Sequence, residues 1–263
     1  MIVQYALQIF VVIITKSFVA YLGCRIIAML LQWVLTEGYS YRHHKIILNY
    51  SKETVDGETR KEIINKVKAL FMHRIGGILV NSADSMIISA FIGVVVLGKY
   101  SNYTSIAISM SSLMALVFTP LTSIIGHTYV SEREKTEQYF QKFYFLNFAL
   151  GMVFFLGYYA VIDNLVLILF GNNLELSRGV SFVVTVNYFV QFMRQATLLF
   201  RDATGTFYND RWKPVFEGCL NVVLSIIFVK LFLKVGGDEL GIIGVIVATI
   251  ITNLTICHIV EPF

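Results

Sequence analysis

The chain has 263 residues, 56% of them hydrophobic and only 14% charged, with a mean hydropathy of +0.70. A soluble domain carries about 25% charged residues, so this chain has too few to coat a water-soluble globule of its size. The net charge of +4 is modest and unevenly placed, which reads as a membrane-topology signal and argues against a nucleic-acid partner.

In chain order, eight apolar spans are expected, most of them long enough to cross a ~30 Å hydrocarbon core as helices. Ten-residue stretches of alternating polarity, the mark of a membrane barrel, do not occur. The first span, Met1 to Thr15, is short, and nothing in it resembles a signal peptide with its basic leader and cleavage site. The second is Phe18 to Leu35, with Arg25 near its middle. Lys16-Ser17 is a thin turn, so Met1 to Leu35 reads either as two spans or as one long tilted helix. A polar, basic segment follows, Thr36 to Arg74, holding Tyr41-Arg42-His43-His44-Lys45 and an amphipathic stretch from Glu53 to Leu70. The remaining spans are Ile75–Leu97, Ser105–Tyr129 (interrupted by Pro120), Phe143–Ile162, Val180–Phe200, Pro214–Leu233 and Leu240–Ile259. Gly236-Gly237 marks the turn between the last two, and Gly171-Asn172-Asn173 marks another loop.

Lysines and arginines test this threading. With the Thr36–Arg74 segment on the cytoplasmic side, that side carries fifteen of them against five on the other, with Arg25 mid-span. Both chain ends then face the cytoplasm. Cys24, Cys219 and Cys257 all lie in apolar stretches without disulfide or metal spacing and read as small membrane-buried residues. No P-loop, dinucleotide fingerprint, metal-spaced His pair or G-x-S-x-G occurs. No cofactor, metal or enzymatic activity is expected.

Polar side chains within apolar spans are costly and are the natural functional candidates. At about 100° per residue, Gly77, Asn81, Asp84 and Ser85 share one side of the third span. Asn102, Ser105, Ser109 and Ser112 form a stripe on the fourth. In the sixth, Asn187, Gln191, Arg194 and Arg201 recur with helical spacing. In the seventh, Glu217 and Asn221 share a face, joined by Asp210 if the helix extends back past Pro214. Asp84 and Glu217 each require a partner or water, and Arg194 and Arg201 are the nearest candidate cations by this reading. Four polar-faced helices together point to a hydrated cavity between helices. Serines alone also serve close helix packing in lipid, and basic residues at the span ends also serve as topology anchors.

Two segments carry a family resemblance. One is Lys66-Val-Lys-Ala-Leu-Phe-Met-His-Arg-Ile-Gly-Gly-Ile-Leu-Val-Asn-Ser-Ala-Asp-Ser-Met-Ile-Ile-Ser89. The other is Phe200-Arg-Asp-Ala-Thr-Gly-Thr-Phe-Tyr-Asn-Asp-Arg-Trp-Lys-Pro214, followed by Glu217, Asn221 and Ser225. Both resemble polysaccharide-biosynthesis flippases of the multidrug/oligosaccharidyl-lipid/polysaccharide exporter superfamily, as found in Gram-positive bacteria. The resemblance implies an all-α polytopic bundle in the bacterial cytoplasmic membrane. Such a transporter moves undecaprenyl-pyrophosphate-linked repeat units, for capsule or other surface polysaccharide, through a cationic cavity between two six-helix lobes. Onto this chain it carries Arg74, Asn81, Asp84, Asn102 and Tyr103 from the first segment and just beyond it. From the second it carries Arg201, Asp202, Asp210, Arg211, Lys213 and Glu217, to which the polar face of the sixth span adds Arg194.

Members of that family are longer, with twelve to fourteen spans. By this resemblance residues 1–36 are the last two helices of an N-terminal lobe, 37–74 a cytoplasmic linker, and 75–260 a complete C-terminal lobe. The expectation is a truncated form that does not transport unless another chain supplies the missing helices. The implied partners are lipid-linked oligosaccharide, membrane lipid and other polysaccharide-assembly proteins. Competing readings are a cation-coupled multidrug exporter of the same superfamily, a membrane glycosyltransferase or polymerase, and an inactive remnant. The large outer loop that sugar chemistry usually needs is missing from the sequence, and the Arg201–Pro214 motif favours the flippase by resemblance.

Overall fold

A computed structural model describes residues 2–43, 55–205 and 211–257, the side chains of residues 2, 3, 81 and 257 excepted. Among the described residues all regular structure is helical. By packing, the chain divides into two units, Met1–Lys61 and Glu62–Phe263.

In the first unit α1 (Ile2–Thr15) packs on α2 (Phe18–His43). The break is built locally. Lys16 takes a left-handed φ of 47°, the Ser17 N–H donates to Thr15 Oγ1 at 3.3 Å, and the Ala20 N–H donates to Ser17 Oγ at 3.4 Å. Two helices, rather than one long one, are therefore present. α2 does not stop at Leu35. Thr36 Oγ1 donates back to the Gln32 carbonyl at 2.8 Å, so a hydroxyl that reads as a loop signal is satisfied inside the helix. α3 (Gly57–Phe91) then starts at a side-chain cap, with Asp56 Oδ2 accepting the Thr59 N–H at 3.0 Å. Where it is described, the Thr36–Arg74 segment is thus mostly helix and not loop. Its polarity reflects exposed helix faces, and local polarity alone does not distinguish these from a loop.

In the second unit α3 is followed by α4 (Val94–Phe118), α5 (Leu121–Ser131), a 3₁₀ turn (Arg133–Lys135), α6 (Thr136–Phe170), α7 (Arg178–Thr204) and α8 (Lys213–Thr252), which continues into a π-helical turn (Asn253–Cys257). The α3–α4 turn lies at Ile92-Gly93, earlier than expected. Val94–Leu97 prolongs the apolar run of the third span, and hydropathy cannot locate a two-residue turn inside such a run. Asn102 and Tyr103 are consequently helical residues of α4. At Pro120 the α4–α5 pair bends by 42°.

The long α8 is a hairpin. Gly236 and Gly237 leave helical geometry, Gly237 at φ 76°, a value that favours glycine. The two legs, residues 213–235 and 238–252, fold back face to face. Asn221 Nδ2 donates to Thr249 Oγ1 at 2.8 Å, and a Cβ on Gly244 would lie 2.9 Å from the Phe228 carbonyl oxygen. α3 crosses the first leg closely: any side chain at Gly76 would overlap Pro214, and a Cβ on Gly218 would come 2.9 Å from Leu79 Cβ.

Two apolar layers hold this unit together. One joins Ile88, Tyr103, Tyr158, Ile162, Val180, Val229 and Ile246. The other is aromatic, built on Phe118, Phe143, Phe155, Phe192 and Phe200, with Phe118 and Phe143 edge-to-face at 5.1 Å. Asn147 fastens α6 to α7 by donating to the Phe192 carbonyl at 3.1 Å.

Three helical stretches, Phe18–His43, Arg133–Phe170 and Lys213–Ile256, are long and apolar enough to cross a membrane, or four if the bent α4–α5 pair counts as one crossing. Their large apolar side chains face outward, Leu116, Val153, Ile168 and Phe216 among them. Outward apolar surface on this scale exceeds what a water-soluble monomer presents and suits lipid as the surrounding solvent. Cys219 belongs to this outer surface, and Cys24 is half-buried.

Candidate functional site

A cavity of about 400 Å³ opens between α3, α4, α7 and α8. α3 lines it with His73, Gly76, Gly77 and Val80, and α4 with Ile108, Ser111, Ser112 and Ala115. α7 supplies more of its polar lining than any other helix: Tyr188, Gln191, Arg194, Gln195 and Arg201. Pro214 and Glu217 come from the first leg of α8, and Asn253 from the π-helical turn. The close approach at Gly76 and Pro214 shapes one wall, because a larger residue at 76 would push α3 away from α8.

The polar centre of the cavity is an ion pair. Arg194 Nη1 donates to Glu217 Oε1 at 2.7 Å and Arg194 Nη2 donates to Oε2 at 2.8 Å. Nη1 also donates to Asn253 Oδ1 at 3.3 Å. Glu217 is 1% exposed and Arg194 16%, so the carboxylate is sealed into the wall while the arginine is the more accessible partner. Two parallel bonds of this kind are the strongest arrangement available to an arginine and a carboxylate. At the rim, Arg201 donates to Asp202 Oδ1 through Nε at 3.1 Å and Nη2 at 2.9 Å. Among the described residues no side-chain hydrogen bond engages Gln191 or Gln195, which leaves two amides on the wall able to donate and accept.

A second polar cluster lies deeper. Asp84 on α3 accepts from Thr249 Oγ1 at 2.7 Å, and Thr249 accepts in turn from Asn221. Asp84, Asn221 and Thr249 are all buried. Among the described residues no lysine, arginine or histidine pairs with Asp84, and no three His, Cys, Asp or Glu side chains come together as a metal cluster. One carboxylate with neutral oxygens around it suits a proton or a hard monovalent cation, and lacks the N and S donors a transition metal prefers.

Of the residues singled out in the sequence, Arg194, Arg201 and Glu217 meet at the cavity, with Asp202 on Arg201 at its rim. Asp84 joins the deeper cluster. Arg211 is half-buried and Lys213 buried at the start of α8, and neither lines the cavity. Arg74 is exposed on α3, and its neighbour His73 takes the lining position instead. Asn102 is half-buried on α4, outside the lining. Asp210 and the Asn81 side chain lie outside the described residues.

Tyr103 belongs to neither cluster. It is fully buried, donates to Asp163 Oδ1 at 3.2 Å and accepts the Leu176 N–H at 3.0 Å. Asp163 also accepts from Ser181 Oγ at 2.8 Å and pairs with Arg178 Nε at 3.0 Å. This network fastens the α6–α7 connection to α4. Of the serine stripe on α4, only Ser112 reaches the cavity; Ser105 and Ser109 are exposed, and Ser109 bonds back to the Ser105 carbonyl at 2.8 Å.

Functional candidates that local sequence did not bring forward include His73, Gln195, Thr249 and Asn253. The last two had a usable signal, since Thr249 and Asn253 stand at i and i+4 in an apolar span, the spacing that singled out Glu217 and Asn221. Comparison with protein-family models, with curated proteins and with solved structures finds no match to this chain.

Proposed function

We propose that this chain is part of a lipid-linked oligosaccharide flippase of the polysaccharide-exporter type, moving undecaprenyl-pyrophosphate-linked repeat units across the bacterial cytoplasmic membrane. The observation that carries the proposal is the arginine-lined cavity, with Arg194 at its centre and Arg201 at its rim, inside a helical bundle with an apolar exterior. Arginine forks match phosphate oxygens through paired charge-assisted bonds, and Gln191 and Gln195 offer amides to sugar hydroxyls. A cavity of about 400 Å³ lies within the range of small-molecule sites. It suits a diphosphate and the first sugar, with the lipid tail and outer sugars lying beyond its mouth.

In this reading the chain crosses the membrane eight times: by α1, α2, the second part of α3, the bent α4–α5 pair, α6, α7 and the two legs of α8. Both ends are cytoplasmic, residues 75–260 form one six-helix lobe, and 1–36 belong to the lobe before it. The basic residues clustered at the α7–α8 end support that orientation. The chain is a transporter component and not an enzyme. Its partners are the lipid-linked oligosaccharide, membrane lipid, other polysaccharide-assembly proteins and a chain that supplies further helices around the cavity.

The test is binding in lipid nanodiscs. Undecaprenyl pyrophosphate should bind more tightly than undecaprenyl monophosphate, and Arg201→Gln should weaken the pyrophosphate form by about tenfold or more, as loss of a charge-assisted phosphate contact implies. Equal binding of both lipids, unaffected by the substitution, would reject the reading. The Asp84–Thr249–Asn221 cluster favours a second reading, a cation-coupled multidrug exporter of the same superfamily. That reading predicts binding of tetraphenylphosphonium in preference to either anionic lipid, abolished by Asp84→Asn.

A further inference from the structure

We infer that Glu217 is a built-in competitor for the anion site, occupying the fork of Arg194 until a more highly charged ligand displaces it. This rests on the anionic-substrate reading above and adds a rule for which anions are admitted.

The geometry supplies the argument. Both terminal nitrogens of Arg194 are engaged by the two oxygens of one carboxylate, at 2.7 and 2.8 Å. A phosphate presents two oxygens to a guanidinium in the same side-on manner. The carboxylate therefore sits where two phosphate oxygens would sit. Both partners line the cavity, so displacement needs no route through the apolar core.

The burial pattern sets the direction of exchange. Glu217 is held in the wall by α8 and is 1% exposed, whereas Arg194 is 16% exposed. When an anion enters, Arg194 is the group that can turn towards it. Asn253, which already accepts from Arg194, keeps the guanidinium in the cavity during the exchange.

The charges then decide the outcome. A singly charged anion offers Arg194 no more than Glu217 already does, and its entry leaves a carboxylate without its guanidinium in a poorly solvated wall. A diphosphate carries enough additional charge to engage Arg194 and the rim arginine, Arg201, together. Glu217 therefore raises the threshold of charge for entry, a case of specificity achieved by opposing the wrong ligand. An open, unopposed arginine would accept any anion.

The experiment measures inorganic pyrophosphate and dimethyl phosphate, a singly charged diester, binding to the full chain in nanodiscs by calorimetry. The wild type should bind pyrophosphate and not dimethyl phosphate. Glu217→Gln removes the competing charge while keeping the shape. It should raise pyrophosphate affinity by about tenfold or more, within the usual range of coupling between competing contacts, and make dimethyl phosphate binding measurable. Glu217→Asp, whose carboxylate is withdrawn by one methylene from the Arg194 fork, should shift both affinities in the same direction, so the idea stays testable if one variant does not fold. Adding Arg194→Gln to either variant should abolish the gain. Measurable pyrophosphate binding with equal or lower affinity in a folded Glu217 variant overturns this inference and leaves the anionic-substrate reading standing. Absence of anion binding in the wild type and both variants overturns the two together.

Discussion

Two carboxylates in the second unit, Glu217 and Asp163, each pair with an arginine and serve different ends. Asp163 is enclosed by commitments: Tyr103, Ser181 and Arg178 all donate to it, and the result ties three segments into one corner. Glu217 has the better single partner, a two-pronged arginine, but that pair borders an open cavity. An ion pair surrounded by further donors is a fastening, and one that borders a cavity can be exchanged. Both are an arginine paired with a carboxylate on a different helix. The surroundings decide.

Stability measurements can break this comparison. The largest effect is expected at Arg194→Ala, which leaves a carboxylate that is 1% exposed without its cation. Loss of one partner from a buried pair costs about 3–5 kcal/mol, to be read from thermal unfolding in detergent or nanodiscs. Arg178→Ala should cost no more than about 1 kcal/mol, because that arginine is 61% exposed and exposed pairs contribute little. Equal losses at the two arginines would collapse the distinction drawn here.

Between them in size falls Tyr103→Phe. It removes the acceptor for the Leu176 N–H and a donor to Asp163, at a cost of about 1–3 kcal/mol for the stranded polar groups. Pyrophosphate affinity should not change, since the fastening is separate from the cavity. A change in affinity would join the two regions that the comparison separates.

The smallest effect concerns Asp56, a fully exposed carboxylate with no arginine, which serves as a baseline. The backbone N–H of Thr59 holds its carboxyl below the usual carboxylate value. A lowered value means that the cap contributes above the unfolded-state pKa and is lost as pH falls through the lowered one. The amide of Thr59 should therefore lose exchange protection in acid. Protection of Thr59 that persists at pH 2 would show that the cap does not hold the start of α3.

Much of the architecture was legible from local sequence. The break at Lys16-Ser17, the bend at Pro120 and the hairpin at Gly236-Gly237 were all marked by turn-forming residues. The ends of α2 and α3 were not, because Thr36 and the charged residues after Gly57 are compatible with either a loop or an exposed helix face. The α3–α4 turn was hidden in a continuous apolar run, which misplaced Asn102 and Tyr103. At the site, helical spacing brought Arg194, Arg201 and Glu217 forward, whereas the family resemblance added Arg74 and Tyr103, and neither picked out Asn253.

The sequence by itself determined the solvent and the inventory: a chain too apolar for water, made of helices, with a small set of polar groups it could not leave unpaired. Periodicity places a residue on a face of its own helix. It does not set that helix's rotation against its neighbours, nor which neighbours it has. Only the tertiary structure decided that Asp84 meets Thr249, 165 positions away, that Glu217 is claimed by Arg194, and that Tyr103 is a fastening. Those pairings depend on how helices distant in sequence pack side by side, and local spacing does not encode that packing.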